Sequence, residues 1–354
     1  MTTHRATVPA ELCSGLSLAV QEQAVGSAAE ATCWIILEQN GPWGAKAATR
    51  SRLDPDLGAR LDAAATAVGG RFGLMRNPGA HPDWHHTKRR VLVSGGPVTD
   101  PWLVSGVVDA PERLLDLPWE HLSDAEPYRL LAALPELEST SVPVLLVCTN
   151  GKRDRCCAVV ARPVAEAAHL LHPGRVYETT HLGGHRFATT AVLLPTGHTY
   201  AHLSGETAAE VLGAADEGRV PATLADDLHY RGRSGLSRPA QVAEHAVREI
   251  LDDWSLPGPH VGEVTPVGGD AWRVRVGSVA VLVERWVTDR MRPESCGKPP
   301  TPVPAWRFAV ERSAATVDGS TPADPRWPVV SPGGPMGLHF AMASLSSLNI
   351  DGKP

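Results

Sequence analysis

Residues 144–157, VLLVCTNGKRDRCC, decide the fold of this chain and hold most of its candidate chemistry. The apolar run 144–147 predicts a buried strand, and the polar, glycine-containing segment after it predicts a loop. Cys148 stands at the start of that loop, and Cys156 and Cys157 stand at its end. The pattern therefore predicts an α/β segment with thiols on either side of a polar loop.

A second motif lies downstream, where residues 181–185 read HLGGH. Two histidines four positions apart could share a helix face, but the intervening Gly-Gly makes a helix poor and favours a loop that folds around an ion. Together with two thiols these histidines make a four-ligand set for tetrahedral zinc or for a diiron cluster. Eight residues separate Cys148 from Cys157, which is longer than the roughly two to four residues between paired zinc cysteines.

Composition restricts the class of protein. The chain has 354 residues, 33 Gly, 31 Pro, 6 Cys and a formal net charge of −6, and an acidic chain argues against a nucleic-acid surface. It has no apolar stretch long enough to span a membrane, and its N-terminus has no secretory signal pattern. We therefore expect a cytoplasmic protein whose reduced thiols serve metal or redox chemistry rather than disulfides.

The order of predicted elements repeats along the chain. Segments 34–117 and 144–214 each give a strand, a glycine-containing loop, a helix, three further strands or strand-like runs, and a closing helix. This order fits an internal duplication, but β-α-β-β-α is also a common order, and the sequence leaves both interpretations open. We predict three domains: an N-terminal α/β domain at 1–140, a second α/β domain at 141–225, and a C-terminal module at 226–354.

The C-terminal third predicts a small α+β module. A helix is expected at 239–254, followed by strands at 272–276 and 279–286 around a Gly-Ser turn. Residues 306–311 could add a third strand, and 315–354 need not form a core. The segment 221–237 before the helix is polar and Gly-rich, so we predict a connector. Its arginines, and one just after it, are expected at the surface or in interdomain pairs; they are Arg231, Arg233 and Arg238.

Four stretches together resemble the sucrase/ferredoxin-like family, which consists of thioredoxin-like ferredoxins with histidine ligands. They are CWIILEQNGPWG at 33–44, the cysteine loop, the histidine loop, and RGRSGLSRPAQVAEHA from position 231. The resemblance implies a thioredoxin-like ferredoxin fold and a 2Fe-2S cluster, whose implied ligands are Cys148, Cys157, His181 and His185. The family's second cysteine lies nine positions after the first, which selects Cys157 over its neighbour Cys156.

The implied function is electron transfer. Neutral imidazoles in place of two thiolates make the cluster less negative, so Cys2His2 clusters have potentials of roughly −150 to +300 mV. Because a bound imidazole can still lose a proton, we expect one-electron, proton-coupled chemistry with a redox partner protein. Two alternatives stay open: a structural or regulatory zinc protein with the same ligands, and a reductase with a substrate bound between domains. No dinucleotide fingerprint follows a strand, and whether the chain is itself an enzyme is left open.

The remaining thiols and histidines are not expected to bind the cluster. Cys13 and Cys33 have apolar or small neighbours and are predicted to lie in the core. Cys156 is expected to be a buried spare thiol. Cys296 lies in a polar loop and could approach the cluster or a partner, but an exposed bystander is the favoured interpretation. The histidines of segment 81–86 lack accompanying thiols and are predicted to belong to a solvated loop.

Overall fold

The computed structural model describes residues 8–81, 83 and 87–311, which build a ten-stranded mixed sheet and a four-stranded antiparallel sheet. Helices pack against both sheets, so the expected α/β class is confirmed in this general form. All described residues belong to one compact unit. Among them, no helix has both the length and the apolar character needed to cross a bilayer.

The first half of the large sheet surrounds an aliphatic core. Helix α3 begins where the Asp54 carboxylate accepts a hydrogen bond from the Leu57 amide at 2.8 Å, with Pro55 in the first turn. Its apolar face buries Leu61 and Ala65 against the strands. The elements are α1 (Cys13–Ala19), β1 (Trp34–Glu38), α2 (Ala47–Arg50), α3 (Pro55–Ala67), β2 (Arg71–Arg76), β3 (Arg89–Gly95), β4 (Trp102–Val108), 3-10 helices at Pro111–Asp116 and Trp119–His121, α4 (Tyr128–Ala133) and β5 (Leu137–Thr140).

The second half has its own core beneath two helices. One of them starts at a capping box, in which Ser204 and Thr207 exchange hydrogen bonds between side chain and backbone. The elements are β6 (Val144–Cys148), α5 (Arg155–Val159), α6 (Ala161–Leu171), β7 (Val176–Thr179), a 3-10 helix at His185–Phe187, β8 (Ala191–Leu194), β9 (His198–Tyr200), α7 (Gly205–Asp216), a 3-10 helix at Ala222–Leu224 and β10 (Tyr230–Arg233).

The two halves join edge to edge in the strand order β10-β9-β8-β6-β7-β2-β1-β3-β4-β5. Within the second half β6 is parallel to β7 and antiparallel to β8, and within the first half β1 has the same relation to β2 and β3. Strands β2 and β7 pair antiparallel at the junction, where Arg76 forms an ion pair with Glu178. Because β6 and β7 are parallel, the loops that follow them leave the sheet at the same edge.

The four-stranded sheet packs on one long helix. The elements are α8 (Arg238–Leu251), β11 (Val261–Gly268), β12 (Ala271–Val276), β13 (Val279–Pro293) and β14 (Pro300–Glu311). Val242 and Val247 of the helix lie in one apolar cluster with Val274 and Val281 of the sheet. The predicted helix, hairpin and third strand are therefore present, and β11 is a strand that the sequence did not predict.

Several expectations were wrong. The segment 221–237 is not a polar connector, because it contains β10, a buried edge strand that pairs with β9. Of the two positions expected for the arginines, the surface position holds only for Arg238, because Arg231 and Arg233 are each 1% exposed. Residues 315–354 and the histidines at 85 and 86 lie outside the described residues.

Buried charges replace the expected surface arginines. Glu244 of α8 accepts from Arg233 of β10 at 2.7 Å and from Arg248 of its own helix at 3.0 Å, and all three side chains are buried. Next to them His198 is fully buried, with its Nδ1 atom 2.8 Å from the Thr196 hydroxyl. Burial and the charges of Arg248 and Arg233 hold the pKa of His198 well below the ordinary value of 6.5.

His198 should make the protein sensitive to acid. The unfolded chain binds a proton at this histidine below pH 6.5, whereas the folded chain does not, so acidification favours unfolding. Between about pH 7.5 and about pH 5.5, wild type should lose about 1.4 kcal/mol more unfolding free energy than His198→Asn. Urea titrations of both proteins at the two pH values measure this. Equal losses in the two proteins would contradict the assignment.

Candidate metal centre

The two candidate ligand loops leave the large sheet side by side. Cys148 is the last residue of β6 and lies opposite Thr179, the last residue of β7, two positions before His181. The start of the cysteine loop is attached to β7, because the Thr149 hydroxyl donates a hydrogen bond to Glu178 Oε2 at 2.6 Å. The sheet register therefore brings the start of the cysteine loop close to the start of the histidine loop, although Cys148 and His181 are 33 positions apart in sequence.

The short helix α5 orients Cys157 towards Cys148. Asp154 caps α5 by accepting a hydrogen bond from the Cys156 amide at 2.9 Å. One turn of helix follows and buries Cys157, whose thiol contacts Cys148. Both cysteines are essentially inaccessible, at 1% and 0% exposure.

The structure brings Cys148 into contact with Cys157 and places His181 next to both Cys148 and His185. The rings of His181 and His185 lie 5.1 Å apart between centroids. The Cys157 thiol donates a hydrogen bond that holds the pKa of Cys148 well below its usual value despite burial, and His181 lowers it further. The same hydrogen bond, together with burial, raises the pKa of Cys157 well above its usual range. The pair therefore favours a thiolate at Cys148.

One ring nitrogen of each candidate histidine lacks a hydrogen-bond partner. Nδ1 of His181 and Nδ1 of His185 are both buried without a hydrogen-bond partner in the described part of the chain. A buried imidazole nitrogen without a partner is costly, and a metal ion would satisfy it. Two such nitrogens beside two thiols form a donor set that fits a Cys2His2 metal group.

A buried arginine supports the histidine loop. Gly183 and Gly184 have positive φ angles of 85° and 70°, and a Cβ at Gly184 would lie 2.5 Å from the Arg231 guanidinium. Arg231 donates to Gly183 O at 3.1 Å, to Thr190 Oγ1 at 2.6 Å and to Ser27 Oγ at 3.0 Å. Burial lowers the pKa of Arg231 to about 9. Sequence reasoning missed this role, although Arg231 opens one of the stretches that suggested the family.

A second group of potential ligands lies beside the first. Atoms of Cys13, Asp154, Cys156 and Cys296 all lie within 4.8 Å of one another and could bind a metal ion. The Cys156 sulfur is 3.2 Å from that of Cys13 and 3.1 Å from that of Cys296. The expectation that Cys296 is an exposed bystander is therefore wrong, because the loop between β13 and β14 folds back onto α5. Cys13 is buried as expected, and Cys33 lies in the core of the first half.

The second group has strongly perturbed acidities. A hydrogen bond from Cys13, opposed by burial, lowers the pKa of Cys156 to about 6, while the pKa of Cys13 is raised by the same contact. Burial raises the pKa of Cys296 to about 11. Burial would also raise the pKa of Asp154, but hydrogen bonds from the Ser295 hydroxyl and the Cys296 and Cys156 amides lower it to about 2. Asp154 is thus a stable buried anion.

The support of the histidine loop by Arg231 can be tested by a conservative substitution. Lysine retains the positive charge, but its ammonium group cannot reproduce the hydrogen bonds that the planar guanidinium donates. Arg231→Lys should therefore lower the unfolding free energy by about 2–3 kcal/mol. Arg238→Lys, at an exposed position of α8, should change it by less than about 0.5 kcal/mol. Urea unfolding measures both. Equal effects of the two substitutions would show that Arg231 has no supporting role.

A sucrase/ferredoxin-like family model matches residues 24–232, which is well over half of the chain and includes both ligand loops and Arg231. No curated protein and no solved structure shows significant similarity to this chain. The match begins after α1 and ends within β10, so it includes the whole junction between the two halves of the large sheet. The chain belongs to the sucrase/ferredoxin-like family.

Proposed function

We propose that this protein transfers single electrons through a 2Fe-2S cluster. Cys148 and Cys157 would hold one iron, and His181 and His185 would hold the other. The observation that carries the proposal is the pair of buried, unpartnered Nδ1 atoms of the two histidines, together with the contact between the thiols of the two cysteines. Such a cluster accepts and returns one electron, at a potential above that of all-cysteine ferredoxins.

The fold part of the proposal is a thioredoxin-like unit that occurs twice. It is supported by the pairing pattern, since β1 and β6 each have one parallel and one antiparallel neighbour in the same order. Each half also ends in an additional antiparallel edge strand, β5 or β10. In the domain division that goes with this proposal, 1–140 is the degenerate copy, 141–225 the cluster-binding copy, and 226–354 the C-terminal module.

The chain's own groups would prepare the site for a charged ligand set. The Leu182 backbone and His181 next to the Cys148 sulfur lower the pKa of Cys148, which favours a thiolate there. If Nδ1 is the ligand atom of each histidine, Nε2 holds the exchangeable proton of the proton-coupled reaction. Burial lowers the pKa of His185, and the Asp154 carboxylate, 3.9 Å from Nε2, opposes this shift only in part.

The site is buried on one side and accessible on the other. Both cysteines are buried, whereas His181 is partly exposed and the His185 side chain is 16% exposed. A redox partner would therefore approach from the histidine side. This asymmetry favours electron exchange between proteins over a reaction with a substrate enclosed in the fold.

Metal and sulfide analysis of anaerobically purified protein tests the proposal. Wild type should be coloured and contain about two irons and about two acid-labile sulfides per chain. Cys157→Ser should lose the visible absorption and the sulfide, because it removes a ligand. Cys156→Ser is the matched control, since it changes the adjacent buried thiol and should retain both.

Two outcomes would contradict this assignment. A colourless wild type that contains neither iron nor sulfide would exclude the cluster and favour the zinc alternative with the same ligands. Loss of sulfide in Cys156→Ser with retention in Cys157→Ser would move the second ligand by one residue.

We also propose that the redox partner presents an acidic surface and meets this protein in the cytoplasm. The exposed charges of the cysteine loop are all positive, because Lys152, Arg153 and Arg155 are exposed while Asp154 is buried. The chain as a whole carries a net charge of −6, so this loop differs in sign from the average surface. Opposite charges on a partner would speed its association with the edge of the site.

The positive charge of the loop can be reduced by a substitution at one position. Lys152→Glu should slow electron transfer with an acidic ferredoxin or flavodoxin-type probe by about 3–10-fold at low salt, with a smaller effect at high salt. Stopped-flow absorbance at several salt concentrations measures the rate. Arg60→Glu, on the exposed face of α3, makes the same charge change away from the loop and should have little effect. Equal slowing by both variants would exclude the loop as the docking site.

A further inference from the structure

We propose that Cys13, Asp154, Cys156 and Cys296 form a second metal site, separate from the proposed cluster, and that it holds a structural Zn²⁺ ion. The two donor sets share no residue. Four potential ligand atoms lie within 4.8 Å of one another there.

The distances between the sulfurs suit one shared ion. The Cys13–Cys156, Cys156–Cys296 and Cys13–Cys296 sulfur pairs are separated by 3.2, 3.1 and 3.6 Å. A tetrahedral zinc with bonds of about 2.3 Å holds its sulfurs about 3.8 Å apart, so a small outward shift accommodates it. A disulfide needs an S–S distance of about 2.05 Å and would leave one of three thiols unpaired.

The fourth ligand completes a closed site. The two carboxylate oxygens of Asp154 lie 3.8 and 3.9 Å from the Cys13 sulfur. They also accept hydrogen bonds from the Cys156 amide, the Ser295 hydroxyl and the Cys296 amide. A carboxylate has about four acceptor positions, so one stays available for a metal ion.

Neighbouring donors fit metal-bound thiolates. The Ser14 hydroxyl donates to the Cys156 sulfur at 3.3 Å, and the Ser14 backbone hydrogen-bonds the same atom. Hydrogen bonds of this kind orient ligands and disperse their negative charge. The buried position of Cys13, Cys156 and Asp154 removes water that would otherwise compete as a ligand.

The donor chemistry selects zinc. Three thiolates exclude Ca²⁺ and Mg²⁺, which take oxygen ligands, and a tetrahedral set with no open position is typical of structural zinc. The ligands come from the start of α1, the start of α5 and the loop between β13 and β14. An ion here would therefore join three segments that are distant in sequence, including the helix that carries Cys157.

X-ray absorption at the zinc edge tests the site in the native chain. Protein produced with zinc in the medium and purified anaerobically without chelator should contain about one zinc. Its nearest neighbours should be three sulfurs at about 2.3 Å and one oxygen at about 2.0 Å. This measurement needs no variant, so it decides the question even if a substitution prevents folding.

A pair of cysteine variants gives the second measurement. Cys296→Ser should weaken zinc retention against a competing chelator by at least about 100-fold. Cys33→Ser changes a buried cysteine in another core and should retain zinc as wild type does. Both variants should keep the iron and sulfide of wild type, so failure of the zinc site and failure of the cluster are distinguishable.

Three results would overturn the proposal. They are a neighbour shell of two sulfurs and two nitrogens, zinc retention unchanged in Cys296→Ser, and a native protein free of zinc with a disulfide mapped to Cys296. Iron in place of zinc at the three-sulfur site would refute the choice of metal.

Discussion

The buried carboxylate of Asp154 is the constraint on which both candidate sites depend. A buried charge is costly unless hydrogen bonds satisfy it, and three donors converge on this one: the Cys156 amide, the Ser295 hydroxyl and the Cys296 amide. These contacts start α5 and dock the β13–β14 loop on it. Because His185 Nε2 also lies 3.9 Å from Asp154, one anion borders both donor sets. As the N-cap of α5, Asp154 determines the orientation of the Cys156 and Cys157 side chains.

Buried guanidinium groups connect the remaining parts of the fold. Arg231 ties the histidine loop to the segment before β1, and the Arg233–Glu244–Arg248 set ties β10 to α8. Near α1, Glu22 pairs with Arg186, just after the histidine motif, and with Arg292 of β13. Removing one member of such a pair leaves an uncompensated buried charge, so these residues fix relative positions more than they add stability.

The pairing of the large sheet accounts for the position of the first candidate metal centre in the second half. In the second half, the parallel strands β6 and β7 end at Cys148 and Thr179, immediately before the two ligand loops. In the first half the strands that pair in the same way end at Glu38 and Arg76. The backbone arrangement is shared, and the candidate ligands Cys148, Cys157, His181 and His185 all belong to the second half.

Local signals in the sequence determined the principal strands and helices, the two ligand motifs and the family, because periodicity, caps and motif spacing lie within short stretches. They also suggested that the thiols of the 148–157 loop and the histidines at 181 and 185 act together. Only the tertiary structure decided that β10 and its arginines are buried, because an edge strand with polar residues resembles a connector until its partners are known. The grouping of Cys13, Cys156 and Cys296 was likewise undetectable, since its members are separated by 140 residues or more and no local spacing relates them. Long-range packing of α1 and the β13–β14 loop on α5 brings those thiols together, and packing of that kind is a property of the folded chain alone.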